Sequence, residues 1–465
     1  MREKTGANGI VEGVIWKQLL LFFFPILLGT FFQQLYNTVD TVIVGQYVGK
    51  EALAAVGTTG NLINLLVGFF VGLASGASVI ISQFYGAGDV KNLSKAVHTA
   101  MALSLAGSVI LTVVGILTSR AALSAMSVPP EVLDGAVTYM NVYYAGITAV
   151  VLYNVGTGIL RAIGDSKMPL YVLIVCCLVN IVLDLLFVVA FHWDVFGVAL
   201  ATVLSQVVSA VLILLRLMLT KDAYRVEIKQ IRFHKDLLKN ILRIGLPSGA
   251  QSVMYSISNV VIQASINSFG TDAIAAWAAV GRIDGFVWMV MGAFGISVTT
   301  FVGQNFGARK YDRVRRGTRV CLCMTLGVTI VISALIFFFG EPLLRIFTGD
   351  DGVVAIGRSF QYIWSPSYIL YVFIEIYSGA IRGSGESVQP MIITLLGVCG
   401  LRLVWVAVAV PLWHVPQTLA LSYPVTWAVT GLVFIVYYLH MGWLRRSARR
   451  AGHDPLPEIG RRRAV

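Results

Sequence analysis

Gln83-Phe84-Tyr85-Gly86-Ala87 returns further along the chain as Gln304-Asn305-Phe306-Gly307-Ala308, and 304 − 83 = 221. Arg161-Ala162-Ile163-Gly164-Asp165-Ser166 returns as Arg382-Gly383-Ser384-Gly385-Glu386-Ser387, and 382 − 161 is again 221. Pro169 and Pro390 keep the spacing, as do Gly49-Lys50-Glu51-Ala52 and Gly270-Thr271-Asp272-Ala273. A single offset held from Gly49 to Pro169 marks a duplicated unit. In a membrane protein such a duplication commonly builds a pathway between its two halves.

The surroundings of these motifs are membrane-like. The chain is 57% hydrophobic and 12% charged, with a mean hydropathy of +0.80. Globular domains carry about a quarter charged residues, so a soluble chain of this balance would precipitate. Apolar runs of about 20 residues suit a hydrocarbon core roughly 30 Å thick. The expected fold is an all-α integral membrane protein with twelve transmembrane helices in two pseudo-symmetric six-helix bundles. The spans of the first copy are expected near 16–46, 52–82, 93–119, 130–160, 167–192 and 195–220. Those of the second are expected near 238–268, 273–303, 314–340, 353–381, 388–411 and 416–444. The domains are then an N-lobe (1–220), a cytoplasmic linker (221–237), a C-lobe (238–444) and a basic cytoplasmic tail (445–465). An even number of spans per copy gives both copies the same orientation, a parallel repeat.

The net charge of +12 raises nucleic acid as a partner, and the placement of charge argues against it. Of the 35 Lys and Arg residues, 29 lie in the termini and alternate loops of one face. Only Lys50, Arg120, Arg345 and Arg358 fall on the opposite face, while Arg282 and Arg402 lie within helices. This positive-inside asymmetry puts both termini in the cytoplasm, and anionic lipid accounts for the basic loops. The first apolar run reads as a retained helix, not a signal peptide. All five cysteines lie in apolar helices, where they read as small hydrophobes with no metal site. P-loop, G-x-G-x-x-G and H-E-x-x-H signatures are missing, which counts against ATP-driven transport and against a membrane metalloprotease. No enzyme activity and no cofactor are expected.

Ionisable residues inside a bilayer are costly and point to function. In the first copy these are Asp40 and Asp184, each about 10 Å below the outer surface at 1.5 Å per residue. Tyr36 lies one turn below Asp40 and Asn180 one turn below Asp184, with Thr202 and Tyr139 at the same depth. No Lys or Arg lies in the outer half of this bundle. A buried carboxylate without a basic partner takes up a proton or binds a cation. The bland alternative is two separate acids that hydrogen-bond helices together. At offset 221 Asp40 corresponds to Val261, Asn180 to Leu401, Asp184 to Trp405 and Thr202 to Tyr423.

The second copy carries Arg282, Asp284, Glu375 and Arg402 instead. The first two and Arg402 lie at similar depth and are expected to form a structural ion network. Glu375, at the position of Asn154, reads either as a second ion-linked site or as an inner gate residue paired to Arg382. Pro25 and Pro247 interrupt spans 1 and 7 at matching places and are hinge candidates, and Pro366 interrupts span 10. Gly68, Gly72 and Gly76 form a small-residue stripe read as close helix packing. Aromatic pairs such as Tyr139 with Tyr143 and Phe360 with Trp364 read as packing, or as platforms for lipophilic cations.

Together these features resemble the multidrug and toxic compound extrusion (MATE) family of secondary transporters. The resemblance runs from about Trp16 to Arg446. It rests on Asn37-Thr38-Val39-Asp40-Thr41-Val42-Ile43-Val44-Gly45, on Gln83–Gly88, and on the Arg161–Pro169 turn with its repeat Arg382–Pro390. It implies two bundles facing each other as a V, and export driven by an inward H⁺ or Na⁺ gradient. The chain is most similar to the DinF-type branch, whose N-lobe ion-linked residues fall on Asp40, Asn180, Asp184 and Thr202. The NorM-type branch adds a Glu in helix 7 and an Asp in helix 10. Here helix 7 has no carboxylate past Asp236, and helix 10 has Glu375 nearer its cytoplasmic end.

The expected function is therefore H⁺-coupled antiport of amphipathic or cationic organic compounds by alternating access, through a monomer in a bacterial cytoplasmic membrane. Its ion-coupling residues would be Asp40, Asp184, Asn180 and Thr202. The cleft candidates are Gln33, Tyr36, Tyr139, Asn154 and Glu375. The alternatives are Na⁺ coupling, since the same groups form a hard oxygen-ligand set, a lipid-linked-precursor flippase, or a dedicated metabolite exporter. A flippase would need basic residues lining its cleft, and only Arg282 and Arg402 offer themselves. A non-transporting sensor or scaffold would normally bring a soluble domain.

Overall fold

In the computed structural model the described residues are 9–126 and 128–454. They are helical almost throughout, and each of the twelve expected spans is present as one helix or as two helices in tandem. Among the described residues, nine helices are long and apolar enough to cross a membrane by themselves, and ten if one bent pair counts as a span. That pair is the fourth span, Pro130–Ala145 and Ile147–Ala162, bent by 51° at Gly146. A Cβ on Gly146 would collide with Val203, so the bend is also where another helix comes closest. The seventh span, Lys235–Asn267, fails the apolar test because polar residues such as Arg243, Gln251 and Asn259 run along it. The tenth fails because a 3₁₀ turn at Ser365–Ser367, carrying Pro366, cuts it into Asp351–Trp364 and Tyr368–Gly383. Proline removes a helix hydrogen bond and clashes with the preceding turn.

The hinge candidates Pro25 and Pro247 sit inside helices that continue through them, Ile15–Ile43 and Lys235–Asn267. The helical irregularities lie elsewhere. Wide π turns occupy Val44–Val48 at the C-terminal end of the first span, Leu185–Ala190 in the fifth and Leu395–Gly400 in the eleventh. The first of these has an arithmetic cause. From Pro25 to Gly49 is 24 residues, while from Pro247 to Gly270 is 23. The first copy therefore holds one extra residue, and a π turn stores it without breaking the helix.

The repeat is also visible in the backbone. Gly49 and Gly270 both take positive φ, 119° and 92°, as do Gly164 and Gly385, 97° and 90°. Gly88 has φ 68°, and its counterpart Arg309 keeps φ 57°, a conformation that glycine adopts freely and other residues adopt at a cost.

The residues pack as two compact units, Leu21–Val253 and Met254–Val465, the latter with Met1–Leu20. The division falls inside the seventh span and not in the 221–237 segment. Its physical basis is glycine contact within the first of these units. A Cβ on Gly72 would lie 2.6 Å from Gly249 Cα, and one on Gly76 would lie 2.6 Å from Gly245 N. The first half of the seventh span thus packs backbone to backbone on the second span. The 221–237 segment docks on the third span. The Glu227 amide donates to His98 Nε2 at 3.0 Å, and Thr99 Oγ1 meets His234 Nδ1 at 3.0 Å.

In the other unit the repeated motifs collect the chain ends. Asn305 Nδ2, Lys310 Nζ and Arg313 donate to the carbonyls of Ile10 and Val11 at 3.0–3.3 Å. At the other end, Ser384 bonds Ser447 at 2.9 Å and Arg450 pairs with Glu386 at 3.1 Å.

Candidate functional site

Asp40 and Asp184 come from spans far apart in sequence, and each stands just before a π turn. The turns Val44–Val48 and Leu185–Ala190 pack on one another, which brings the two carboxyl groups within hydrogen-bonding reach. Asp40 is 7% exposed and Asp184 fully buried. Neither belongs to an ion pair among the described residues. Asp40 Oδ1, both Asp184 oxygens and both Asn180 amide atoms lack a well-formed hydrogen bond, although Asn180 lies beside Asp184. Two buried carboxylates side by side repel by about 4 kcal/mol at 4 Å and an effective dielectric of about 20. A proton held between them, or a cation on their oxygens, removes that repulsion.

The remaining polar groups frame this pair. Thr202 donates to the Val198 carbonyl at 3.0 Å, which leaves its oxygen to accept from the hydroxyls of Tyr36 and Tyr139 beside it. Tyr139 stacks on Tyr143 at 6.4 Å; sequence pairing put Tyr143 on the same face but did not name it as part of the layer. Two cleft candidates of the first copy stay outside. Gln33 is exposed, and Asn154 turns back to the Val150 carbonyl of its own helix at 2.8 Å.

The expected ion network of the second copy does not form. Arg282 is exposed, Asp284 accepts from the Tyr368 hydroxyl, and Arg402 donates to Thr426 at 3.2 Å while lying 3.9 Å over the Tyr423 ring. Residues two apart on a helix point to different sides, so Arg282 cannot follow Asp284 inward. Glu375 lies near Tyr371 and Arg382 and forms no ion pair with Arg382. Its carboxyl fills the space over Gly295.

The extra residue in the first π turn changes which residues correspond. Ahead of it the offset is 222, so the counterpart of Asp40 is Ile262, not Val261, and that of Gln33 is Tyr255. In the eleventh span the π turn at Leu395–Gly400 comes before the equivalent of Asn180, whereas that of the fifth span comes after it. Between these turns the offset is again 222, and 180 + 222 = 402 makes Arg402, not Leu401, the counterpart of Asn180. No constant-offset comparison could find this.

The MatE family pattern matches twice, over residues 25–186 and 247–408. The chain belongs to the MatE family. Its two matched segments are offset by 247 − 25 = 222, in agreement with the register just described. Among curated relatives of this MatE protein, "Probable multidrug resistance protein YoeA" of Bacillus subtilis is 29% identical, with 94% of this chain and 96% of that protein covered. "Multidrug export protein MepA" of Staphylococcus aureus is 24% identical, with 82% and 84% covered. Two solved structures carry the same fold. A MOP superfamily transporter from Pyrococcus furiosus has a TM-score of 0.89 at 23% identity, covering 97% of this chain and 100% of that one. An outward-facing multidrug resistance MATE family transporter has a TM-score of 0.88 at 24% identity, covering 94% and 98%. The MatE chain is thus a multi-pass membrane protein of a multidrug transporter family.

Proposed function

We propose that this protein exports amphipathic and cationic organic compounds in exchange for H⁺ by alternating access, across a bacterial cytoplasmic membrane with both termini in the cytoplasm. The observation that carries the reading is the buried Asp40–Asp184 pair, which has no basic partner among the described residues. A proton arriving from the outer side settles on the pair and neutralises it. Losing the negative charge weakens the hold on a cationic substrate, which leaves. Release of the proton inward restores the charge and the capacity to bind. Asn180 supports the Asp184 carboxyl, and Thr202 with Tyr36 and Tyr139 supplies hydroxyls to the same layer. Antiport needs only that ion and substrate favour different states of one equilibrium. The names of the curated relatives support the organic substrate class.

The test is efflux of a fluorescent cation from proteoliposomes under an imposed pH gradient. Asp40→Asn should abolish it in protein that elutes as a single species. Wild-type efflux from this variant sinks the proposal. Because the same oxygens would also suit Na⁺, a Na⁺ gradient at equal pH is the second arm. Full efflux driven by Na⁺ alone would replace H⁺ by Na⁺ as the coupling ion.

A further inference from the structure

The unit formed by the second copy contains a cavity of about 430 Å³, within the roughly 300–1,000 Å³ range of small-molecule sites. Its walls are aromatic. Trp277 meets Trp364 edge to face at 4.9 Å, and Trp288 meets Tyr371 likewise at 4.7 Å, so ring faces are left to the cavity. Two charges of opposite sign share these walls, Asp284 and Arg402, and no ion pair joins them. Each is held in place by something else. The Tyr368 hydroxyl donates to Oδ1 of Asp284. Tyr423 stacks under the Arg402 guanidinium, Thr426 accepts one of its N–H groups, and its Nε has no partner.

The repeat supplies an independent observation. Tyr255, Trp364, Arg402 and Tyr423 line this cavity. The last three are the counterparts of Tyr143, Asn180 and Thr202, at offsets of 221, 222 and 221, while Tyr255 answers to Gln33, which lies outside the layer. The cavity therefore occupies, in the second copy, the place that the carboxylate layer occupies in the first.

We propose that this cavity binds planar aromatic zwitterions, with the ligand cation against Asp284 and the tryptophan faces and the ligand anion on Arg402. A guanidinium and a carboxylate kept apart in an apolar cavity each retain an unmet demand, and a ligand carrying both complementary charges on a flat scaffold meets the two together. Guanidinium held by stacking keeps its remaining N–H groups oriented for a carboxylate. A simple cation satisfies only Asp284 and leaves Arg402 facing apolar ligand surface. The assignment rests on the proposed export of organic compounds and narrows its substrate class.

The probes are rhodamine 110, which bears a free carboxylate, and rhodamine 123, its methyl ester, which is cationic only. Binding is measured by fluorescence anisotropy on purified protein at pH 7.5, with empty micelles as the blank. Wild type should bind rhodamine 110 at least tenfold more tightly than rhodamine 123. Arg402→Gln should remove that preference, Arg402→Lys should keep part of it, and Asp284→Asn should weaken both dyes. Gly281→Leu, at a cavity-lining position with open space at its Cβ, should weaken both without disturbing the helix. Equal affinities in wild type, or a preference untouched by Arg402→Gln, overturn the proposal. Because binding needs no gradient, this outcome is separate from that of the Asp40→Asn efflux assay.

Discussion

Adding one methyl group at Gly76 tests the packing that holds the first half of the seventh span to the second span. The added Cβ would fall on the Ile241 carbonyl oxygen and within 2.6 Å of Gly245 N, both backbone atoms that cannot rotate away. Gly72 is equally confined, 2.6 Å from Gly249 Cα. Overpacking of this kind costs about 1–3 kcal/mol, and an immovable obstacle puts Gly76→Ala at the upper end. Alanine returns about 1 kcal/mol through its better helix propensity, so the net loss is about 2 kcal/mol. Gly68→Ala, on the same stripe, is the control. Its Cβ would meet only the Ser252 Cβ at 3.8 Å, which leaves the propensity gain of about 1 kcal/mol intact. The two variants should therefore differ by about 3 kcal/mol, on the order of a hundredfold in the folded-to-unfolded ratio. The assay is the heating midpoint of detergent-solubilised protein, followed by size-exclusion recovery. Gly68→Ala should melt at or above wild type and Gly76→Ala well below it. Matching midpoints for the two variants would refute the backbone-contact reasoning.

Two further outcomes follow from the loops. Desolvation, then Arg232, Lys95 and His98, push the His234 imidazole below its usual value, with only a backbone hydrogen bond opposing them. The undocked linker then binds a proton more readily than the docked one, so docking is intact above about pH 6.5 and weakens as pH falls below it. Hydrogen-exchange protection of the Glu227 and His234 amides, corrected for intrinsic rates, should drop between pH 7.5 and 5.5 in wild type. It should stay level in His234→Asn, and a level wild-type profile would contradict the assignment. At the other end, Arg450→Ala strips the partner from Glu386, which is only 3% exposed. Because Arg450 itself is half exposed, the loss should be about 1–2 kcal/mol, read as a lower melting midpoint that Arg450→Lys restores in part.

Much of the architecture was legible because membrane spans are written in single-helix terms. Length, apolarity and the 221-residue offset place each span, and helical spacing puts Tyr36 with Asp40 and Asn180 with Asp184. Depth counting then sets Thr202 and Tyr139 at the same level, where the structure has them. What stayed hidden depends on relations between helices. That Arg282 faces outward while Arg402 lies over Tyr423 is decided by which neighbour covers each face, and charge spacing does not record it. The aromatic cavity draws its walls from five spans of the second copy, none of them conspicuous alone. Gln33 and Asn154 read as cleft candidates, and the structure shows only that Gln33 is exposed and that Asn154 bonds the Val150 carbonyl of its own helix. The π turns were invisible because a wide turn leaves no mark on hydropathy. Only the mismatch between a proline pair at 222 and a glycine pair at 221 betrays one.

That single extra residue has a consequence for anyone wishing to graft the chemistry of one half onto the other. In a regular α-helix one inserted residue would rotate everything before it by about 100° relative to everything after, and the π turn at Val44–Val48 absorbs that residue, so Asp40 keeps the place that Ile262 holds in the second copy. The first half thus differs from the second in wiring as well as in lettering: Asp40 looks towards Asp184 through a turn that the seventh span lacks. Writing an aspartate at Ile262 would copy the letter alone. A functional transplant would have to carry the π turn and its extra residue with it.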